Sequence, residues 1–260
     1  AANRDQKAEW LTPLIAGELH AGLAFAEPQA RFNIADIATI AAADGDRFLL
    51  NGRKNLVLNG ATADLLIVPA RTSGKQTDRD GVSLFAIPAD TPGIKCNGYP
   101  TVDALQAADL SFDNVPIPED ALLGELHKGF DTFSRTIDDA TLAVSAEAVG
   151  IMQVMHDKTV EYTKTRKQFG VPIGTFQALQ HRMVDTMTAC EQSRSLLYWA
   201  VMLAAADDPS SGQAISAIKY QVGSAGIHVA REAVQLHGGM GVTWELDIGH
   251  YLKRITAIDI

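Results

Sequence analysis

Two hydrophobic periods divide the chain. Through the first 124 residues the apolar positions come in short runs separated by turn residues. "DGDRFLLNGRKNLVLNGATADLLIVPAR" carries a turn at Asp44 to Asp46, an apolar run at 48–50, a second turn at Asn51-Gly52, a run at 56–58 and then Asn59-Gly60. Asn-Gly tolerates the positive φ of tight hairpins, so these dipeptides between β-prone runs predict antiparallel strands. "DLLIVPAR" and "GVSLFAIP" continue the pattern, with Pro69 and Pro88 where strands should end, and "KQTDRDG" at 75–81 is a polar loop between them. "AADLSFDNVPIPEDALLG", 107–124, adds a last strand and a proline-rich exit. No helix-length pattern falls between the runs. About six strands with short connections suit a small barrel or two packed sheets, and exclude a βαβ unit.

Helical periodicity begins at Asp131. Phe133, Ile137, Leu142, Val144, Ala148, Ile151, Met155 and Tyr162 recur at three to four residue spacing over nearly forty residues without proline. They predict one long helix with a packed stripe, ended by Gly170 and Pro172. A second helix runs from Phe176 to Ala206 with Leu179, Met183, Met187, Cys190, Leu197 and Val201 on one face; a third spans 213–236; a fourth opens at 245. Gly223 and Gly226 in the third suggest close helix-helix approach, and Met152, Met155, Met183, Met187 and Met202 read as core filling. A further short helix is expected over 5–16, closed by Gly17. The expected fold class is therefore α+β and multidomain, with an antiparallel β-barrel-like domain over 18–124 followed by an up-and-down four-helix bundle over 125–260.

Composition narrows the function classes. The chain has 260 residues, 47% apolar and 20% charged, with net charge -9, so a core is available and no basic field serves nucleic acid or an anionic membrane. Cys96 and Cys190 lie in unlike segments, which argues against a disulfide framework and for a reducing compartment. No CxxC, HExxH or grouped His and Cys points to a metal, and no run reaches the roughly 18 apolar residues of a membrane span. The N-terminal residues lack signal-peptide character. A cytoplasmic protein is the expectation.

The chemistry-bearing residues gather in two places. "RKQFGVPIGTFQALQHRMVD" sets Arg166, Gln168, Phe169, Gly170 and Gln177 around a predicted helix break, and "QLHGGMGVTWELDIGHYLKR" sets Gln235, Gly238 and Gly239 at another. Together, in this order, they resemble the flavin-dependent acyl-CoA dehydrogenase family. "LAFAEPQARFN" and "LNGRKNLVLNGATADLLIV" extend the resemblance over essentially the whole chain. It implies a chain that begins at the end of an N-terminal helical domain, residues 1–17 being its remnant, and stops inside the last helix. It also implies FAD at a subunit junction, in a homo- or hetero-oligomer of related subunits. Arg166 would reach the pyrophosphate, where a guanidinium fork suits a diphosphate. Phe169 would lie beside the dinucleotide and Gln177 at its adenine end, with Arg166 and Gln177 addressing its two ends. Gln235, Gly238 and Gly239 would meet the diphosphate or ribitol, the glycines allowing close backbone approach.

The departures from the family pattern are equally specific. The family's F-x-x-T-E-P signature reads Phe25, Ala26, Glu27, Pro28 at its end, and its aromatic-Ile-Thr-Asn-Gly stretch reads Leu56, Val57, Leu58, Asn59, Gly60. Two hydroxyls and one ring are lost, and neither leucine nor alanine can donate to flavin N5 or O4. The family's usual catalytic glutamate would fall immediately after Ile260. The alternative position, in the first long helix, is Ala140, flanked by Asp138 and Asp139, so no catalytic carboxylate is assigned. Glu147 and Glu245 read as structural or surface residues and Glu27 as a partner within its own turn. The resemblance implies α,β-dehydrogenation of an acyl-CoA with electrons passed to an electron-transfer flavoprotein, in a heteromer acting on bulky or steroid acyl-CoA or, alternatively, a non-catalytic paralogue kept for assembly.

Overall fold

A computed structural model describes residues 2–259, which divide into two compact units that meet between Thr136 and Ile137. The first opens with helix α1 (Arg4–Ala16), bounded by signals legible in the sequence. Asn3 and Gln6 form a reciprocal capping box, and Gly17 closes the helix at φ 74.

Eight strands follow: β1 (Ala21–Leu23), β2 (Ile40–Asp44), β3 (Arg47–Leu58), β4 (Leu65–Arg71), β5 (Val82–Pro88), β6 (Ile94–Pro100), β7 (Gln106–Pro118) and β8 (Leu122–Leu123). They form one sheet in the order β6-β7-β3-β2-β4-β5-β8, with β1 beside β4. The barrel-like expectation is overturned, because the path has two ends, β6 and β8, that do not pair with each other, and no sheet closes. Nor is the sheet wholly antiparallel. β5 pairs along all of β4, so β1 and β2 share the other edge of β4, both running parallel to it. Strand number and loop length are the same for open and closed sheets; closure requires a ladder between the terminal strands, which a linear pattern does not encode.

β3 also corrects the turn assignment. Asn51-Gly52 is not a hairpin; β3 runs through it against β7, with register shifts between Leu50 and Gly52 and between Lys54 and Val57. Gly52 sits at φ 153, and a Cβ there would lie 2.5 Å from Thr39 Oγ1, so glycine serves close packing at a bulge. The true hairpin joins β2 to β3 across Gly45 and Asp46, and Asn59, at φ 58, makes the expected turn after β3.

Bulging at β3 accompanies a buried ion pair. Lys54 Nζ donates to Glu27 Oε1 at 2.7 Å, with relative exposures of 0% and 2% for the two side chains. Glu27 also accepts from the Ala38 N–H at 2.8 Å, the Thr39 N–H at 3.3 Å and Gln29 Nε2 at 2.8 Å. Glu27 therefore ties the irregular segment 24–39 to β3 and is more than a partner in its own turn. Burial alone would raise the Glu27 carboxyl, but the Lys54 charge and these donors hold it below its ordinary value. Burial pulls the Lys54 ammonium down while Glu27 pulls it back, and the short contact describes a charged pair.

Helix α2 (Phe130–Thr165) spans the boundary between the units. In the first, Phe133 is buried and packs near Phe25 and Phe130, each with ring centroids 6.3 Å away. In the second, α2, α3 (Gln177–Ala205), α4 (Ser211–His237) and α5 (Ile248–Asp259) share one core that includes Met152, Met155, Cys190, Leu197, Ile218, Val222, Val229 and Ile255. Met152 and Met155 fill it as expected, whereas Met187 and Met202 are 53% and 70% exposed. The buried face of α3 is rotated to Thr186, Cys190, Ser193, Leu197 and Ala200, which leaves Val201 outside as well. Gly223 and Gly226 do mark a close approach, since Cβ atoms there would lie 2.1 Å from Asp259 Oδ1 and 2.7 Å from Ile255 Cγ1.

Candidate functional site

α2 ends at Thr165, five residues before Gly170, and the chain makes a small hairpin of β9 (Lys167–Gln168) and β10 (Val171–Pro172). Phe169 and Gly170, at φ 54 and 82, are its two central residues, and positive φ at both positions is what a two-residue loop of this hand requires. Gly170 is thus a hairpin residue and not a helix cap. The Ile173 N–H donates to the Arg166 carbonyl at 2.8 Å, which closes the hairpin and leaves Arg166 at its base.

Arg166, Gln235, Gly238 and Gly239 come together there. They line one cleft of about 500 Å³ with Tyr162, Gln168, Arg182 and His237. α4 ends at His237, and Gly238, at φ 59, redirects the chain into a 3-10 turn (Gly238–Val242). Phe169 and Gln177 are not part of that cleft. Phe169 is 92% exposed at the hairpin tip and meets Phe176 edge-on, with centroids 6.1 Å apart, while Gln177 is the exposed first residue of α3.

Three cleft residues were not singled out by the sequence. Arg182 is held by Glu232, Nε to Oε2 at 2.5 Å, so one cleft arginine is already neutralised. Tyr162 stacks on His237, with ring centroids 4.3 Å apart and planes inclined by 29°. His237 Nδ1 lies 2.8 Å from the Ala233 carbonyl oxygen of its own helix. His237 stands inside the "QLHGG" motif, but Glu232 and Arg182 are 50 residues apart and no local pattern links them.

The cleft fits a dinucleotide diphosphate. Arg166 is exposed and makes no ion pair among the described residues. A Cβ at Gly238 or Gly239 would meet nothing within 4 Å, so the backbone there is open to an approaching group. Arg166 would hold the pyrophosphate and the glycine turn would lie against it.

The other residues compared with the family pattern are not among those that line this cleft. In the first unit Phe25, Leu56 and Leu58 are 37%, 41% and 56% exposed, and the Asn55 N–H donates to the Ala26 carbonyl at 2.9 Å, bringing the two altered stretches side by side. Leu56 sits at φ 50, its N–H held by Asp109 Oδ1. In α2, burial, with help from Asp139, raises the Asp138 carboxyl above its ordinary range. Glu147 forms a two-pronged ion pair with Arg254, at 2.6 and 2.8 Å, and Glu245 is exposed, in keeping with structural and surface roles. Among the described residues no helix is long and apolar enough to cross a membrane, and no group of His, Cys, Asp and Glu is placed to hold a metal.

An open β-sheet unit is followed by a helical unit whose cleft offers an exposed guanidinium and an open glycine turn to an anionic group. Residues 22–115 match the acyl-CoA dehydrogenase middle domain and residues 127–260 the acyl-CoA dehydrogenase C-terminal domain, so the chain belongs to the acyl-CoA dehydrogenase family. It is 31% identical to a 3-(aryl)acrylate reductase of Clostridium sporogenes, over 98% of this chain and 68% of the relative. Identity to the mitochondrial short-chain specific acyl-CoA dehydrogenase of Bos taurus is 32%, over 98% and 63%. The acyl-CoA dehydrogenase from Geobacillus kaustophilus superimposes with TM-score 0.92 at 32% identity, over 99% of this chain and 69% of that one, and the FAD complex of PigA with TM-score 0.93 at 27% identity, over 100% and 68%. The chain spans about two thirds of the length of these relatives.

Proposed function

We propose that this chain belongs to an acyl-CoA dehydrogenase that introduces an α,β double bond into an acyl thioester of coenzyme A and passes the electrons to an electron-transfer flavoprotein. The observation that carries the reading is the Arg166 guanidinium, unpaired among the described residues, in one cleft with the open Gly238-Gly239 turn. Bound FAD supplies the redox chemistry. Arg166 and the glycine turn bind and orient it, while Arg182, tied to Glu232, is a fixed wall of the cleft.

Ala26, Leu56 and Leu58 favour a partner-dependent form. They offer apolar surface where a complete flavin-ring site has hydroxyls and an aromatic ring, which supports a heteromer of unlike subunits, with bulky or steroid acyl-CoA as the substrate class. The same residues support a second reading, a paralogue retained for assembly after its flavin side decayed. An absorbance spectrum of the full-length protein, purified with and without a related subunit and then mixed with a panel of acyl-CoAs, separates them. Flavin that requires the partner and bleaches with substrate supports the heteromeric enzyme. Stoichiometric FAD in a homo-oligomer rejects partner dependence, and absence of FAD from every complex favours the assembly role.

A further inference from the structure

A second cavity lies wholly within the first unit, with α1 as one wall and the ends of β5 and β7 as the other. Asp5, Glu9 and Trp10 of the helix, with Pro88, Pro118 and Asp120, line about 460 Å³. The two walls are tied together. Gln6 is 6% exposed; its Nε2 donates to the Asp120 carbonyl at 2.7 Å and the Leu122 carbonyl at 2.9 Å, while its Oε1 accepts the Asn3 N–H. One buried side chain therefore fixes the start of the helix to the strand exit, and the cavity is preformed.

The lining is largely apolar and its charge has a single sign. Ile87 and Ile117 are buried, Trp10 is half-buried, and no Lys, Arg or His lines the cavity. The carboxylates of Asp5, Glu9 and Asp120 are exposed and make no hydrogen bond or ion pair among the described residues. Other carboxylates of the chain have their cations: Glu147 has Arg254, Glu161 has Lys164, Glu232 has Arg182 and Asp247 has Lys158. Asp5 alone is accounted for by the positive end of α1, but Glu9 lies beyond the first turn and Asp120 belongs to another element.

A cavity with unpaired carboxylates and an indole is complementary to a cation. Guanidinium suits it best, because its planar fork matches a carboxylate and its face stacks on an aromatic ring. Exposed ion pairs are worth at most about 1 kcal/mol each, so a free guanidinium would be lost to water. Apolar residues flanking it, packed against Trp10, Pro88 and Pro118, supply what the charges cannot. We infer that this cavity is a docking site for an arginine carried by a protein partner between apolar residues of its own. The inference does not depend on the FAD reading of the other cleft.

The test uses the full-length protein, with any related subunit it requires, labelled with 5-fluorotryptophan and titrated with the blocked peptide acetyl-Leu-Arg-Leu-amide. Trp10→Phe assigns the Trp10 fluorine signal apart from those of Trp199 and Trp244. The Trp10 signal should shift saturably while the other two stay, and added salt should weaken the binding. The Leu-Gln-Leu counterpart should bind about tenfold more weakly, a comparison that needs no variant to fold. Neutralising the rim with Asp5→Asn, Glu9→Gln and Asp120→Asn together should cost the arginine peptide about the same factor and leave the glutamine peptide unchanged. Equal binding of the two peptides, binding without a Trp10 shift, or no binding overturns the inference. If acetyl-arginine-amide binds as tightly as the peptide, the cavity is a small-molecule site and the protein partner is rejected.

Discussion

Lys54 Nζ lies 2.7 Å from Glu27 Oε1, and both side chains are sealed from solvent. Removing one partner leaves an uncompensated charge in the sheet, so Lys54→Met should cost about 3–5 kcal/mol in chemical denaturation. The double variant Glu27→Gln with Lys54→Met should recover much of that loss.

The same pair gives an acid limb to stability. Glu27 is held below the ordinary carboxylate value of 4.5, so its contribution is fully present above that pH and is lost as pH falls through the lower folded value. Urea midpoints recorded from pH 6 down to pH 3 should fall more steeply for the wild type than for the double variant.

Arg166 should dominate cofactor retention. Arg166→Ala removes a charge-assisted contact to a diphosphate and should weaken FAD by about 10- to 100-fold, measured by flavin absorbance after gel filtration. Arg166→Lys keeps the charge without the fork and should fall between the two.

Arg71 staples two loops. Its guanidinium donates to the carbonyls of Gln76, Asp78 and Asp80 at 2.8 Å and of Ala35 at 3.2 Å. Lysine cannot span these acceptors, and Arg71→Lys should cost about 2–3 kcal/mol. Limited trypsin digestion should then cut faster at Lys75 and Arg79, within the released loop.

Two helical glycines should respond with opposite signs. Gly226→Ala places a methyl 2.7 Å from Ile255 Cγ1 and should destabilise by about 1–3 kcal/mol. Gly150, in mid-helix with nothing within 4 Å of an added Cβ, should gain about 0.5–1 kcal/mol as alanine. Thermal unfolding of the two variants checks both.

The sequence by itself determined the elements whose signals are local. The long helix α2, the Gly17 cap and the Gly223 and Gly226 approach all follow from periodicity or a single residue's stereochemistry, although α2 ends at Thr165, short of Gly170. Four of the six expected cofactor residues, Arg166, Gln235, Gly238 and Gly239, meet in one cleft, because each motif keeps its own residues at a chain reversal. Tertiary structure decided what depends on partners remote in sequence. Asn51-Gly52 could turn or bulge, and β7 held β3 straight through it; six or eight strands could close or stay open, and the absence of a ladder between β6 and β8 left the sheet open. Glu27 had a plausible neighbour in its own turn, but burial demanded the opposite charge of Lys54, 27 residues away. His237 stands inside a quoted motif, and only the fold shows the Tyr162 ring stacked on it and its Nδ1 at the Ala233 carbonyl.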